Sequence, residues 1–167
     1  MAAEETNWGG PRPQSVGSYV QGDAGLPGRD AVFDRVPPHD DEAEMAVLGG
    51  MLLSKDAIGE VSQMIDVTDF YQPKHQTIYE AIIDLFSNSQ NVDVVIVANQ
   101  LMKDGNLDKV GGADYLHTLV AFVPTAANAT YYAEIVHQRA ILRNVIAAGT
   151  KIAQLGYSAE GLSLIHI

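Results

Sequence analysis

The sequence has no cysteine, so neither a disulfide framework nor a thiolate metal site is open to it. No apolar run approaches the ~18 residues of a membrane span, and the N-terminus, with Glu4 and Glu5, lacks the apolar stretch of a signal peptide. Cytoplasmic residence is therefore expected. Basic residues are scarce: 10 Lys and Arg stand against 21 Asp and Glu, a net charge of −11. A duplex-binding domain shows a basic footprint, so little direct DNA binding is expected. Proteins with basic patches are better matched partners. Also absent is any Gly-Lys dipeptide, so the glycine loop and Lys-Ser/Thr pair that cradle nucleotide phosphates are missing. The chain is expected to carry no ATPase site and to bind no cofactor or metal of its own.

What is present is a normal apolar fraction, 47% of 167 residues, enough for one domain and a tail. Residues 1–36 are punctuated by Gly9, Gly10, Pro11, Pro13, Gly17, Gly22, Gly25, Pro27 and Gly28, the composition of a disordered tail. From residue 37 the pattern is helical and the expected fold is all-α. Asp40 or Asp41 is placed to cap a first helix, with Glu44 in capping-box register to Asp41. Ser54 or Asp56 starts a second. Gly49-Gly50 is tolerable in the first only if a neighbour packs close there. Pro73 suits the first turn of a third helix, which puts His75, Ile78, Tyr79, Ile82, Leu85 and Phe86 on one side. The run from Val94 to Val97 looks like a strand, but Asp93 can cap it and Ala98, Leu101 and Met102 continue at helical period, with Gly105 as a stop. Gly111-Gly112 opens a short helix that Pro124 breaks.

The last segment is assigned to residues 127–161; from Asn128 to Leu155 nothing breaks helicity until Gly156, apart from Gly149. Its second half carries Ile141, Val145, Ala148, Ile152 and Leu155. Steps of four, three, four and three make the seam of a coiled coil or helical hairpin. A seam needs a second helix.

Candidate chemistry is thin. His39, Asp40, Asp41, Glu42 and Glu44 could in principle gather a cation, but acids at a helix start are accounted for by the helix dipole. His75 and Tyr79 lie one turn apart near Asp69 and read as a satisfied histidine bridging helix and turn. His117 and His137 have no companion acids at ligand spacing and read as surface or boundary residues, and Arg139 and Arg143 as partners for acids such as Glu134. No catalytic group is assigned.

The ordered set Pro37-Pro38, Glu42-Ala43-Glu44, Val47-Leu48-Gly49, Asp69-Phe70-Tyr71, His75, Ile78, Tyr79, Asp93, Val110-Gly111-Gly112, Tyr115-Leu116, Asn128, Tyr132-Ala133 and Arg139 resembles the N-terminal domain of bacterial replicative DNA helicases of the DnaB type. The lead-in over residues 33–40 resembles actinobacterial members. The resemblance implies a helical head over residues 37–126, a compact bundle with Phe70, His75, Ile78, Tyr79, Tyr115, Leu116 and Tyr132 as framework. It also implies that residues 127–161 are the first half of a helical hairpin, cut before the ATPase domain. In that family the domain forms a collar on a hexameric ring, its hairpins pair between subunits, and it receives the helicase-binding region of primase, with a helicase loader as a further partner. ATP and magnesium belong to the parent's motor. The final residues, 162–167 (Leu-Ser-Leu-Ile-His-Ile), resemble one reading frame of a transposon sequencing adapter and are expected to be non-native read-through. A second reading, a self-contained all-α regulatory or nucleic-acid-binding protein, stays open at this level.

Overall fold

A computed structural model describes the backbone of residues 35–162 and the side chains of residues 35–159. Almost all of the expected 1–36 tail, and residues 163–167 of the suspected read-through, lie outside the described residues. The chain divides into a first unit, Met1–Val36, and a second, Pro37–Ile167; the second is described below. Its described residues form six α-helices and no strand: α1 (Asp41–Leu53), α2 (Lys55–Val61), α3 (Pro73–Ser87), α4 (Val94–Lys103), α5 (Gly112–Phe122) and α6 (Ala129–Leu162). Short 3-10 turns lie at Val67–Asp69, Asp108–Val110 and Ala126–Asn128.

The caps explain where the helices begin. Asp40, not Asp41, caps α1, accepting from the Ala43 amide at 3.0 Å. Ser54 caps α2 through the Ala57 amide. Pro73 opens α3 at a position where its missing amide costs no helical hydrogen bond, and the preceding Gln72 makes no side-chain cap. Asp93 accepts from the Ile96 amide at 2.9 Å, and that cap turns the β-branched run at Val94 into α4. Beyond α4, Gly105 takes φ +69°, which a glycine adopts without steric cost, and the Asn106 amide closes back on the Leu101 carbonyl at 2.8 Å.

Helix α1 is the centre of the head. Ala43, Ala46, Val47, Leu48, Met51 and Leu52 are all buried, and α2, α3, α5 and α6 pack around it. A helix apolar on all sides is a buried one. Gly49 and Gly50 let two neighbours come close. A Cβ on Gly49 would run into the Leu119 carbonyl and come within 2.9 Å of Val123 Cγ2; one on Gly50 would lie 2.9 Å from the Ala129 Cβ. The neighbours that the glycine pair requires are therefore α5 and the start of α6.

Helix α6 behaves differently along its length. Ala129, Ala133, Val136 and Ala140 are buried against the head, at steps of four, three and four. After Ala140 the apolar residues up to Tyr157 are exposed. Gly156 does not stop the helix, which continues to Leu162. A mid-helix glycine costs only ~1 kcal/mol relative to alanine, and the flanking Gln154, Leu155 and Ala159 are good helix formers. No helix among the described residues is long and apolar enough to cross a membrane.

Candidate functional site

Two polar assemblies fix the head, and one apolar surface is left open. The first assembly centres on Glu44. This residue does not complete a capping box at the start of α1. It turns inward, where it and His75 are each only 1% exposed. Its carboxylate accepts from the Tyr71 amide at 2.6 Å, the Gln72 amide at 3.3 Å and His75 Nδ1 at 2.6 Å. His75 Nε2 meets the Tyr115 hydroxyl at 2.7 Å, and Lys74 Nζ lies 4.0 Å from the centre of the Tyr115 ring. Helices α1, α3 and α5 are thereby joined through one hydrogen-bonded chain. A buried carboxylate is expensive unless its lone pairs are filled, and here two backbone amides and an imidazole fill them. His75 is thus a satisfied bridging histidine, but its partners are Glu44 and Tyr115 rather than Tyr79 and Asp69.

Tyr79 has a separate duty. Its hydroxyl donates to the Ile65 carbonyl at 2.8 Å, and burial, followed by the charges of Asp66 and Asp69, pushes its pKa from the ordinary 10.0 up to about 12. Phe70, Ile78 and Leu116 are fully buried, and Tyr115 and Tyr132 are partly buried around the same core.

The second assembly ties the long helix to the head. Arg143 is not paired with an acid among the described residues. Its Nη1 donates to the Pro38 carbonyl at 2.9 Å, its Nη2 donates to the Asp69 carbonyl, and its guanidinium lies 5.7 Å from the centre of the Tyr71 ring. Tyr71 in turn stacks on His39, with ring centres 4.2 Å apart. His137, which reads from sequence as a surface or boundary residue without a companion acid, donates to the Asp69 carboxylate at 2.9 Å. The acids at the start of α1 do not converge as a cage. Asp40 caps the helix, Asp41 accepts from the Gln72 side chain, and Glu44 points the other way.

The open surface is the outer half of α6. Ile141 is 47% exposed, Val145 62%, Ile152 69% and Leu155 61%, with Ala148 exposed between them. Leu142 and Ile146 are exposed as well. The stripe read from the sequence was narrower than the apolar arc that the structure presents. Leaving such side chains in water forgoes roughly 1.5–3 kcal/mol each.

Comparison with known proteins agrees with this architecture. The profile of the DnaB-like helicase N terminal domain matches residues 36–138. The chain belongs to that family. It is 54% identical over 134 residues to the replicative DNA helicase DnaB of Leifsonia xyli subsp. xyli, covering 80% of this chain and 29% of that protein. It is 51% identical over 146 residues to the replicative DNA helicase DnaB of Mycobacterium leprae, covering 84% of this chain and 24% of that protein. The chain therefore spans less than a third of the curated relatives it matches. Among solved structures, the N-terminal domain of DnaB helicase from Mycobacterium tuberculosis superposes with a TM-score of 0.72 at 53% identity, over 73% of this chain and 85% of that one. The N-terminal domain of DnaB helicase from Helicobacter pylori, whose structure is described with its interactions with primase, gives a TM-score of 0.61 at 22% identity, over 70% of this chain and 90% of that one. This second likeness shows the shared DnaB N-terminal fold. The actinobacterial flavour of the sequence agrees with the Leifsonia and Mycobacterium matches.

Proposed function

We propose that this chain is the collar segment of a replicative DNA helicase, an assembly and docking module with no catalytic role of its own. The observation that carries the reading is the outer half of α6: a long helix, rigidly founded on a well-packed head, that presents Ile141, Val145, Ile152 and Leu155 to solvent. In this reading the seam pairs with hairpin helices of the parent protein and its neighbouring subunits, and so helps build a hexameric ring. The parent unwinds DNA in the cytoplasm, with ATP and magnesium held in a motor domain that is separate from this segment.

The second role is docking of primase. Support comes from family membership, from the Helicobacter pylori domain's description with primase, and from charge. With a net charge of −11 the segment suits a basic or amphipathic helical partner better than DNA. A helicase loader is a further partner of the assembled ring. A self-contained regulatory protein is the weaker reading, since identity above 50% to replicative helicases runs over most of the chain.

The test uses the chain extended through the full hairpin. The cognate primase C-terminal region is titrated against it by calorimetry and co-elution. A saturable complex is expected; no interaction by either method would remove the primase assignment.

A further inference from the structure

The head-facing stripe of α6 runs Ala129, Ala133, Val136, Ala140, and its next member, at a step of three, is Arg143. Here the apolar contact with the head ends, yet the helix still points this face toward it. Arg143 spans the gap. One guanidinium collects the carbonyl of Pro38 from the lead-in and the carbonyl of Asp69 from the turn before α3, and lies over Tyr71, whose ring packs on His39. No carboxylate is its ion partner; among the described residues the ion pairs are His75–Glu44 and His137–Asp69. Planar geometry matters for such a grip, because a guanidinium serves two acceptors in fixed directions while an ammonium is a single point donor. Past Arg143 the described side chains of α6, up to residue 159, are exposed apart from Thr150, and the helix continues to Leu162, so the remainder is an arm of roughly 28 Å at ~1.5 Å per residue.

We propose that Arg143 is a latch, a positioning residue that sets the direction in which α6 leaves the head by pinning the helix to the lead-in and to the 66–71 turn. Small changes at the foot of such an arm are magnified at its tip. The latch therefore governs where the apolar seam is presented, without itself touching a partner. It is built from carbonyls and an aromatic face, so it can let go without leaving a buried charge unpaired.

The absence of native cysteine allows clean site labelling of the full chain. Spin labels go on Glu60→Cys in α2, which is exposed, and on Gln154→Cys, which lies off the seam. Labelled chain is diluted into unlabelled chain at a total concentration where α6 is helical, so that the distance measured by pulsed dipolar spectroscopy is internal to one chain. The Arg143 form is expected to give one narrow distribution. Arg143→Met should widen it at least twofold, and Arg143→Lys should recover part of the narrowing. The melting temperature of the head should stay within a few degrees, which a residue acting only through core stability would not allow. If Arg143→Met costs the head its cooperative melt, Tyr71→Leu replaces it, since the Tyr71 contact with Glu44 is made by the backbone. Unchanged mean and width in Arg143→Met, or in Tyr71→Leu where that variant is used, would overturn the latch.

Discussion

The Glu44 carboxylate lies 2.6 Å from His75 Nδ1, and the two residues are 31 apart in sequence and almost wholly buried. This contact joins the central helix to α3, and through Tyr115 it reaches α5. It is the polar centre of an otherwise apolar head, so its removal has a defined signature. Replacing Glu44 by Ala leaves two amides and an imidazole facing a cavity. A loss of about 3–5 kcal/mol is expected, as for other broken buried pairs. Chemical denaturation of Glu44→Ala, His75→Ala and the double variant should give a coupling above ~1 kcal/mol. Additive losses would show that the contact does not bind the helices together.

Two glycines in helices should respond in opposite directions to the same substitution. Gly49→Ala drives a Cβ into the Leu119 backbone carbonyl, which cannot move without shifting α5. Overpacking of this kind costs roughly 1–3 kcal/mol or more, and the upper end is expected. Gly149 has open space around its missing Cβ, so Gly149→Ala should raise helicity and add roughly 0.5–1 kcal/mol to α6. Circular dichroism and denaturation midpoints check both.

The head should weaken in strong alkali through Tyr79. Below pH 10 the phenol is protonated in both the folded and the unfolded chain, and its contribution is fully present. Above pH 10 the unfolded chain releases the proton, while the folded chain holds it to about pH 12. Stability therefore falls as pH rises through this window. At roughly 1.4 kcal/mol per unit, the Tyr79 share of the loss is on the order of 2 kcal/mol. Tyr79→Phe should show a correspondingly shallower decline between pH 10 and 12. Equal slopes for the two proteins would contradict the account of Tyr79.

Most of the fold was legible in the sequence because its signals are local. Asp93, Ser54 and Pro73 mark helix starts by chemistry acting within one turn, and the 3.6-residue period names the faces. Asp93 in particular outweighed the strand propensity of Val94–Val97. The Gly49-Gly50 pair announced a close neighbour, though not which one. The polar assemblies were not legible, because they join residues far apart in the chain. Glu44 sits at a spacing that suits a capping box, and only the packing of α3 beside α1 shows that it serves His75. Arg143 and His137 both reach the turn around Asp69, some seventy residues earlier. Carbonyl acceptors leave no mark in a sequence, so a pairing of Arg143 with an acid was the natural expectation.

The central claim is that the 141–155 face of α6 is an assembly surface and not part of the head. Hydrogen exchange of the amides from Val145 to Leu155, followed as the concentration of the chain is raised, tests it directly. Among the described residues the apolar face of the arm has no partner, and the forfeited burial is comparable with the stability of a small domain. Weak protection is expected at low concentration, rising as the chains associate. Replacing Val145 and Ile152 by Asp should hold protection low at every concentration while residues 37–124 stay as protected as before. Strong protection of 145–155 in a monomer, independent of concentration, would contradict the account.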